Sequence, residues 1–360
     1  MLNEKILKNE ERAVYKLRSL YSRFGYTCFK MSKFEEYDLY VRNKDFLISD
    51  GIITFTDTNG KLLALKPDVT LSIIKNSTDA SGTVQKLYYD ENVYRIAGGT
   101  GSFKEITQTG LECIGDIGDY EVCEVLTLAL KSLATIDSEY IMDVSHAGLV
   151  ASLLDALELT EASRKAVSVA IKQKSRDVVE TLYSEGKLSQ KALETVNKLI
   201  GNYRDSAPLK AALSGISQNA DTALVEFCDA IDTIVSLGFG EKINVDFSIV
   251  NDLSYYSGVV FKGYIKGIPT EVLSGGRYDK LMKKMGKQAG AVGFAVYLDV
   301  LERHNFKESE YDYDFVLLTD DKTDTATIIK KVEELSKDGS SVAVFKKECE
   351  NVRCRKVVKL

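Results

Sequence analysis

The chain is poor in the residues from which many active sites are built. It has two histidines, His146 and His304, far apart in sequence. Each reads as structural rather than as a metal ligand or catalytic base. The six cysteines, Cys28, Cys113, Cys123, Cys228, Cys349 and Cys354, contain no C-x-x-C pair, which argues against a zinc site or a dithiol redox centre. Cys28, Cys113, Cys123 and Cys228 sit among apolar neighbours and read as small core residues. There is no P-loop, no G-x-S-x-G and no H-E-x-x-H. Neither a metal nor a cofactor is expected. No apolar run approaches a membrane span. The stretch MLNEKILKNEERAV is too charged for a signal peptide. A cytoplasmic chain with no membrane partner is the expectation. The formal net charge is −6, from 53 acidic and 47 basic residues, and phosphate binding needs clustered cations. A large nucleic-acid footprint is therefore not expected. The basic run Lys346–Lys359 reads as a solvated tail or edge strand.

What is present is core material. Of 360 residues, 44% are hydrophobic and three are proline, which suits two or three globular domains. Helical spacing predicts a helix over 4–24, with a strand at Tyr26–Met31. Segments 51–56 and 61–66 form a hairpin around Asn59-Gly60. A helix follows at Val69–Lys75, then strands at Lys86–Tyr89, Val93–Ile96 and Glu105–Glu112. Next come a helix at 119–135 and a strand at Tyr140–Ser145. From about 148 to 238 the pattern is four or five helices. One spans Asp221–Leu237 with Leu224, Val225, Cys228, Ile231 and Val235 inward. Strands return at Lys242–Val250, Val259–Ile265 and Glu271–Ser274, followed by helices at Tyr278–Met285 and Ala291–Leu301. Residues 302–311 form a charged linker. The tail reads strand, helix, strand and a further strand over Tyr313–Val358. This is an α+β domain interrupted by a helical insertion, with a small C-terminal α/β unit.

Four stretches carry polar groups that look placed. In Lys66-Pro67-Asp68-Val69-Thr70, Asp68 either caps the next helix or receives an amino group, and Thr70 is within reach of a small ligand. Gln108 and Glu112 are separated by an even offset, so a strand puts both on one face. They either meet solvent or receive an ammonium or imidazole N–H. The run from Asn251 to Gly258 contains Tyr255 and Tyr256, of which an inward Tyr256 stacks on a flat ligand or fills core. In Ser274-Gly275-Gly276-Arg277-Tyr278-Asp279, the glycines allow close backbone approach. Arg277 binds an anion or pairs with Asp279.

In this order, YDENVYRIAGGTGSFKEITQTGLECIG, YYSGVVFKGY, LSGGRYDKL and AVGFAVYLDVL resemble the class II aminoacyl-tRNA synthetase core, histidyl-tRNA synthetase in particular. The resemblance covers roughly 1–304, with 148–238 poorly matched. It implies a class II synthetase-like antiparallel sheet flanked by helices, built from 1–148 and 239–304. Residues 149–238 are then the helical insertion and 312–360 the small C-terminal segment. It sets Asp68, Thr70, Gln108, Glu112, Tyr255 and Tyr256 where a synthetase contacts histidine. It also sets Tyr94 against the motif 2 arginine, Ile96 and Ala97 against the loop glutamate and arginine, and Ser102 against a further loop arginine. Val300 stands against the motif 3 arginine and Asn251 against the histidyl-specific one. Lys104 is left to replace one contact. A transition state that builds charge on a phosphate loses ~2.7–4 kcal/mol per missing donor. Adenylation is therefore not expected. Ser32 where motif 1 has proline, and Lys66 where the family often has arginine, are further departures.

This pattern is similar to the ATP phosphoribosyltransferase regulatory-subunit family, non-catalytic paralogues of histidyl-tRNA synthetase. The resemblance implies a role in the first step of histidine biosynthesis and in its feedback by histidine. The implied partners are the short-form catalytic subunit, L-histidine, and a second copy docked through Lys16–Phe34, in a hetero-oligomer of hetero-octamer type. tRNA is not an implied partner. The alternatives are a divergent histidyl-tRNA synthetase and a free-standing histidine- or tRNA-binding protein.

Overall fold

The computed structural model describes residues 7–44, 47, 51–78, 82–96, 101–250, 255–301, 311–320, 322–347 and 352–360. The chain divides into two compact units: residues 9–304, and residues 305–360 together with 1–8.

The larger unit begins with α1 (Asn9–Arg23), β1 (Thr27–Cys28), β2 (Phe34–Glu36), α2 (Tyr37–Arg42), β3 (Thr54–Thr56), β4 (Leu62–Leu65) and α3 (Thr70–Asn76). The long strands β5 (Val84–Ile96) and β6 (Phe103–Gly115) follow, then α4 (Asp119–Ile136) and β7 (Tyr140–His146). Six helices come next: α5 (Ala147–Asp155), α6 (Glu161–Gln173), α7 (Arg176–Ser184), α8 (Gln190–Leu199), α9 (Ser206–Leu213) and α10 (Gln218–Ile234). The unit closes with β8 (Ile243–Val245), β9 (Val259–Ile265), β10 (Leu273–Arg277), α11 (Asp279–Lys284) and β11 (Gly290–Tyr297).

Eight strands form one sheet in the order β1-β5-β6-β11-β10-β9-β7-β8. It is antiparallel except at its two ends, where β1–β5 and β7–β8 run parallel. The antiparallel centre fits the expected α+β class. Side chains alternate across each strand, so one face of β6 carries Leu111 and Cys113 and the other Gln108, Gly110 and Glu112. The first face packs on α1 and α4, where Leu17, Leu20 and Tyr21 meet Leu126, Leu130 and Leu133. The Tyr21 and Phe294 rings are edge-on at 6.0 Å there. The second face lies beneath α3, α11 and a smaller sheet of order β2-β4-β3, with Tyr40, Ile73, Ile74, Leu281 and Met282 as its core.

The smaller unit holds β12 (Tyr313–Leu318), α12 (Thr325–Leu335), β13 (Val342–Phe345) and β14 (Cys354–Lys359). Its strands are all parallel, in the order β13-β12-β14. Asp324 caps α12 by accepting the Thr327 N–H.

Several sequence expectations are corrected. Ala291–Leu301 is not a helix: residues 290–297 form β11, and a single 3₁₀ turn spans Asp299–Leu301. The two strands expected at 86–96 are one, because Asp90, Glu91 and Asn92 pair with Thr109, Gln108 and Thr107 rather than turning. The strand expected at Lys242–Val250 ends at Val245 and gives way to a 3₁₀ turn. The strand expected at Tyr26–Met31 is only Thr27–Cys28. The strand expected at Glu271–Ser274 is shifted to Leu273–Arg277. On α10 the inward face is Leu224, Phe227, Cys228, Ile231 and Ile234, while Val225 is 53% exposed. Cys28 is exposed and Cys123 only half-buried, so neither is a core residue. Ala97, Asn251, His304 and Cys349 lie outside the described residues. Among the described residues no helix is long and apolar enough to cross a membrane.

Candidate functional site

The second face of the large sheet forms the floor of a cavity of about 60 Å³. Register divides that floor into rows. Glu112 lies opposite Gly293, which lies opposite Gly276. One pleat further on, Gly110, Ala295 and Ser274 stand side by side, and beyond them Gln108 faces Tyr297. Asp68, Thr70, Arg95, Tyr255, Tyr256 and Tyr278 complete the lining from above and from the sides.

The glycines of the first row are required by contact. A Cβ on Gly293 would sit 1.8 Å from Glu112 Oε2 and 2.4 Å from the Leu111 carbonyl oxygen. A Cβ on Gly276 would sit 2.7 Å from the Tyr256 ring. Bare backbone thus lets the glutamate and the tyrosine lie flat against the sheet. The Tyr255 and Tyr256 rings meet at 4.6 Å and 70°, and Tyr255 lies 6.0 Å from Tyr278.

Polar contacts hold several of the cavity groups in place. Thr70 Oγ1 donates to Glu112 Oε1 at 2.9 Å, and the Tyr278 hydroxyl donates to Glu112 Oε2. Asp68 Oδ1 accepts the Leu71 N–H at 2.9 Å at the start of α3. Arg95 Nε donates to the Pro67 carbonyl at 2.7 Å, with Nη2 3.9 Å from Asp68 Oδ2. The Tyr297 and Ser274 hydroxyls are 2.6 Å apart.

Electrostatically, among the described residues the cavity holds two carboxylates and one guanidinium. Burial pushes the Glu112 carboxyl up to about 8; the Tyr278 and Thr70 hydroxyls pull it down, and Asp68 adds a smaller upward push. Burial also raises Asp68, opposed first by Arg95 and then by the Leu71 and Thr70 N–H groups. Both carboxyls hold protons more tightly than in water because their charged forms are desolvated. A cationic group entering the cavity reverses that preference.

The structure therefore brings all six sequence-derived residues, Asp68, Thr70, Gln108, Glu112, Tyr255 and Tyr256, to one cavity. Gln108 and Glu112 are 3% and 2% exposed, so a solvated strand face does not describe them. Asp68 is both a helix cap and a cavity residue. Sequence reasoning missed Arg95, Tyr89, Tyr278 and Tyr297 as cavity groups. Tyr94, set against the motif 2 arginine, instead donates to Glu105, and its neighbour Arg95 faces the cavity. The signal was available: Tyr89, Val93 and Arg95 share one strand parity. Arg277 lies outside this cavity and pairs with Asp279 at 2.9 Å and Glu226 at 3.5 Å. His146 is buried and accepts the Leu149 N–H at the start of α5. Lys104 is engaged with Asp299 at 2.5 Å. Among the described residues no cluster of His, Cys, Asp or Glu has a metal-binding arrangement.

Residues 2–301 match the profile of the histidyl-tRNA synthetase family. An ATP phosphoribosyltransferase regulatory subunit from Caldanaerobacter subterraneus subsp. tengcongensis is 29% identical over 350 residues, covering 94% of this chain and 90% of that protein. Another from Bacillus cereus strain AH187 is 30% identical over 299 residues, covering 80% and 70%. Among solved structures, an ATP phosphoribosyltransferase regulatory subunit/histidyl-tRNA synthetase from Bacillus halodurans superposes with a TM-score of 0.76 at 23% identity, over 98% of this chain and 93% of that one. A chain of the ATP phosphoribosyl transferase (HisG:HisZ) complex from Thermotoga maritima gives 0.63 at 19% identity, over 82% and 97%.

Proposed function

The chain belongs to the family of ATP phosphoribosyltransferase regulatory subunits, built on the histidyl-tRNA synthetase fold, and from that premise we propose that it is a non-catalytic subunit whose synthetase-like cavity binds free L-histidine. One observation carries this reading. Among the described residues two carboxylates, the buried Glu112 and the half-buried Asp68, share a small cavity with a single guanidinium, Arg95. At roughly 10–15 Å³ per water, its volume holds about four to six waters, the scale of an amino acid and not of a nucleotide. Arg95 suits the ligand carboxylate and Asp68 its ammonium. Glu112, with Tyr255 and Tyr256, suits the imidazole, and Gln108 lines the floor toward the other end.

The proposed partner is the short-form catalytic subunit; that a chain of the ATP phosphoribosyl transferase (HisG:HisZ) complex from Thermotoga maritima has this fold supports an ATP phosphoribosyltransferase partner. The assembly is a hetero-octamer in the cytoplasm, containing a homodimer formed through Lys16–Phe34. Residues 1–148 and 239–304 form the synthetase-like core, 149–238 the insertion and 312–360 a separate small unit. tRNA is not a partner. Histidine binding and partner binding are linked, each changing the other's affinity by the same factor, ~1–3 kcal/mol in comparable systems.

Calorimetry with L-histidine on the isolated chain and on Glu112→Ala tests the pocket; equal binding by both removes it. The rival reading, a divergent synthetase, draws support from Arg95 in the cavity. One arginine is too few to hold a triphosphate and stabilise an adenylation transition state. Histidine-dependent ATP–pyrophosphate exchange by the purified chain would establish that rival.

A further inference from the structure

Between Glu112 and Ser274 the first two rows of the cavity floor are mostly glycine and alanine, and then the floor rises. Gly276, Gly293, Gly110 and Ala295 present almost no side chain. At the third row stands Tyr297, the last residue of β11. Its hydroxyl reaches back one row to Ser274 on β10, 2.6 Å away. Its backbone N–H donates to the Val272 carbonyl at 2.8 Å, so the residue is held at both ends. From Glu112 to Gln108, the residue opposite Tyr297, is four residues of antiparallel strand, or ~14 Å. Arg95 approaches the cavity from the same end as Tyr297, because its strand position lies four residues beyond the Glu91–Gln108 pair.

We infer that Tyr297, pinned on Ser274, is the specificity residue that ends the ligand site at a free carboxylate. It thereby excludes histidine whose carboxyl group is extended by a nucleotide. This deepens the histidine reading and rests on it. A ligand with its imidazole toward Glu112 points its carboxylate at Arg95 and the Tyr297 ring. A free carboxylate ends there. An acyl-linked nucleotide has to continue past it, through the space the ring occupies. The ring is not a free rotor, since leaving its position breaks the Ser274 contact. The barrier is therefore built from side-chain volume and stands apart from any count of missing arginines.

The test compares two probes by calorimetry: L-histidine, and the sulfamate-linked histidyl-adenosine conjugate that mimics an acyl adenylate. Each is titrated into the wild-type chain, Tyr297→Gly, Tyr297→Ala and Tyr297→Phe. Wild type should prefer histidine by at least about tenfold, and the ratio should move toward the conjugate by about tenfold or more in Tyr297→Gly. Tyr297→Phe, which keeps the ring but loses the Ser274 pin, should fall between wild type and Tyr297→Gly. Tyr297→Ala carries the same expectation if glycine unfolds the strand. A wild-type chain that binds both probes equally overturns the inference, as does an unchanged ratio in the small-residue variants. A wild-type chain that binds no histidine overturns the histidine reading instead.

Discussion

Thr70 and Glu112, 42 residues apart in sequence, meet across the cavity through a 2.9 Å hydrogen bond from hydroxyl to carboxylate. The bond joins the first turn of α3 to the middle of β6. With Tyr278 on the other oxygen, both carboxylate oxygens of Glu112 have a protein donor before any ligand arrives.

That burial makes Glu112 the pH-sensitive group of the site. Its folded-state value of about 8 lies above the ordinary 4.5, so the folded chain holds a proton that the unfolded chain releases. Stability from this residue is fully present below the unfolded value, falls as pH rises through that window and levels off above the folded value. Thermal melts between about pH 5 and 8 should show wild type losing stability relative to Glu112→Gln. Parallel melting profiles would contradict the assignment. A cationic ligand should also expel the proton near neutral pH, seen as a binding heat that varies with the ionisation enthalpy of the buffer.

Gly293→Ala should be costly for its size. The new methyl group meets Glu112 Oε2 and the Leu111 carbonyl well inside contact distance. Overpacking of this kind costs ~1–3 kcal/mol. A drop in the urea midpoint together with lost histidine binding is expected; wild-type values for both would mean the two strands sit farther apart.

Arg95→Gln removes the one guanidinium of the cavity and its bond to Pro67. A hydrogen bond to a charged group is worth ~1.5–3 kcal/mol, so histidine affinity should fall about ten- to a hundredfold. Calorimetry with histidine and with histidinol, which lacks the carboxylate, separates the roles. The variant should weaken histidine and leave histidinol little changed.

Lys66, 1% exposed, pairs with Glu91 at 2.5 Å, and Glu91 also accepts the Met31 N–H. Breaking a fully buried pair costs ~3–5 kcal/mol because the partner is left charged. Glu91 is 16% exposed, so Lys66→Met should cost somewhat less, about 2–4 kcal/mol. The double variant Lys66→Met/Glu91→Gln should recover most of it in chemical denaturation. No recovery would place the loss in lysine packing.

Much of the site could be read from residue order alone, and the misses have physical reasons. Gln108 and Glu112 were legible because a strand repeats every two residues. Asp68 presented a choice between cap and cavity residue that its two oxygens make unnecessary. Arg95 escaped because the resemblance fell on its neighbour Tyr94, and adjacent residues of a strand face opposite ways. Tyr297 was hidden because residues 290–297 are largely buried on both faces, which erases the alternation that separates strand from helix. The joined strand at 84–96 looked broken because Asp90 and Asn92 are turn-forming types and Glu91 is a poor strand former. Pairing with β6 overrode that local preference.

Asp68 grips the head of α3 with one oxygen and offers the other to the cavity, while at the tail of the same short helix Lys75 clasps Glu35 of β2 at 2.7 Å. The cavity-facing oxygen, 3.9 Å from Arg95 Nη2, is thereby tethered, through two turns of backbone, to the small outer sheet. One short helix thus fixes both the cavity wall and its contact with the outer sheet.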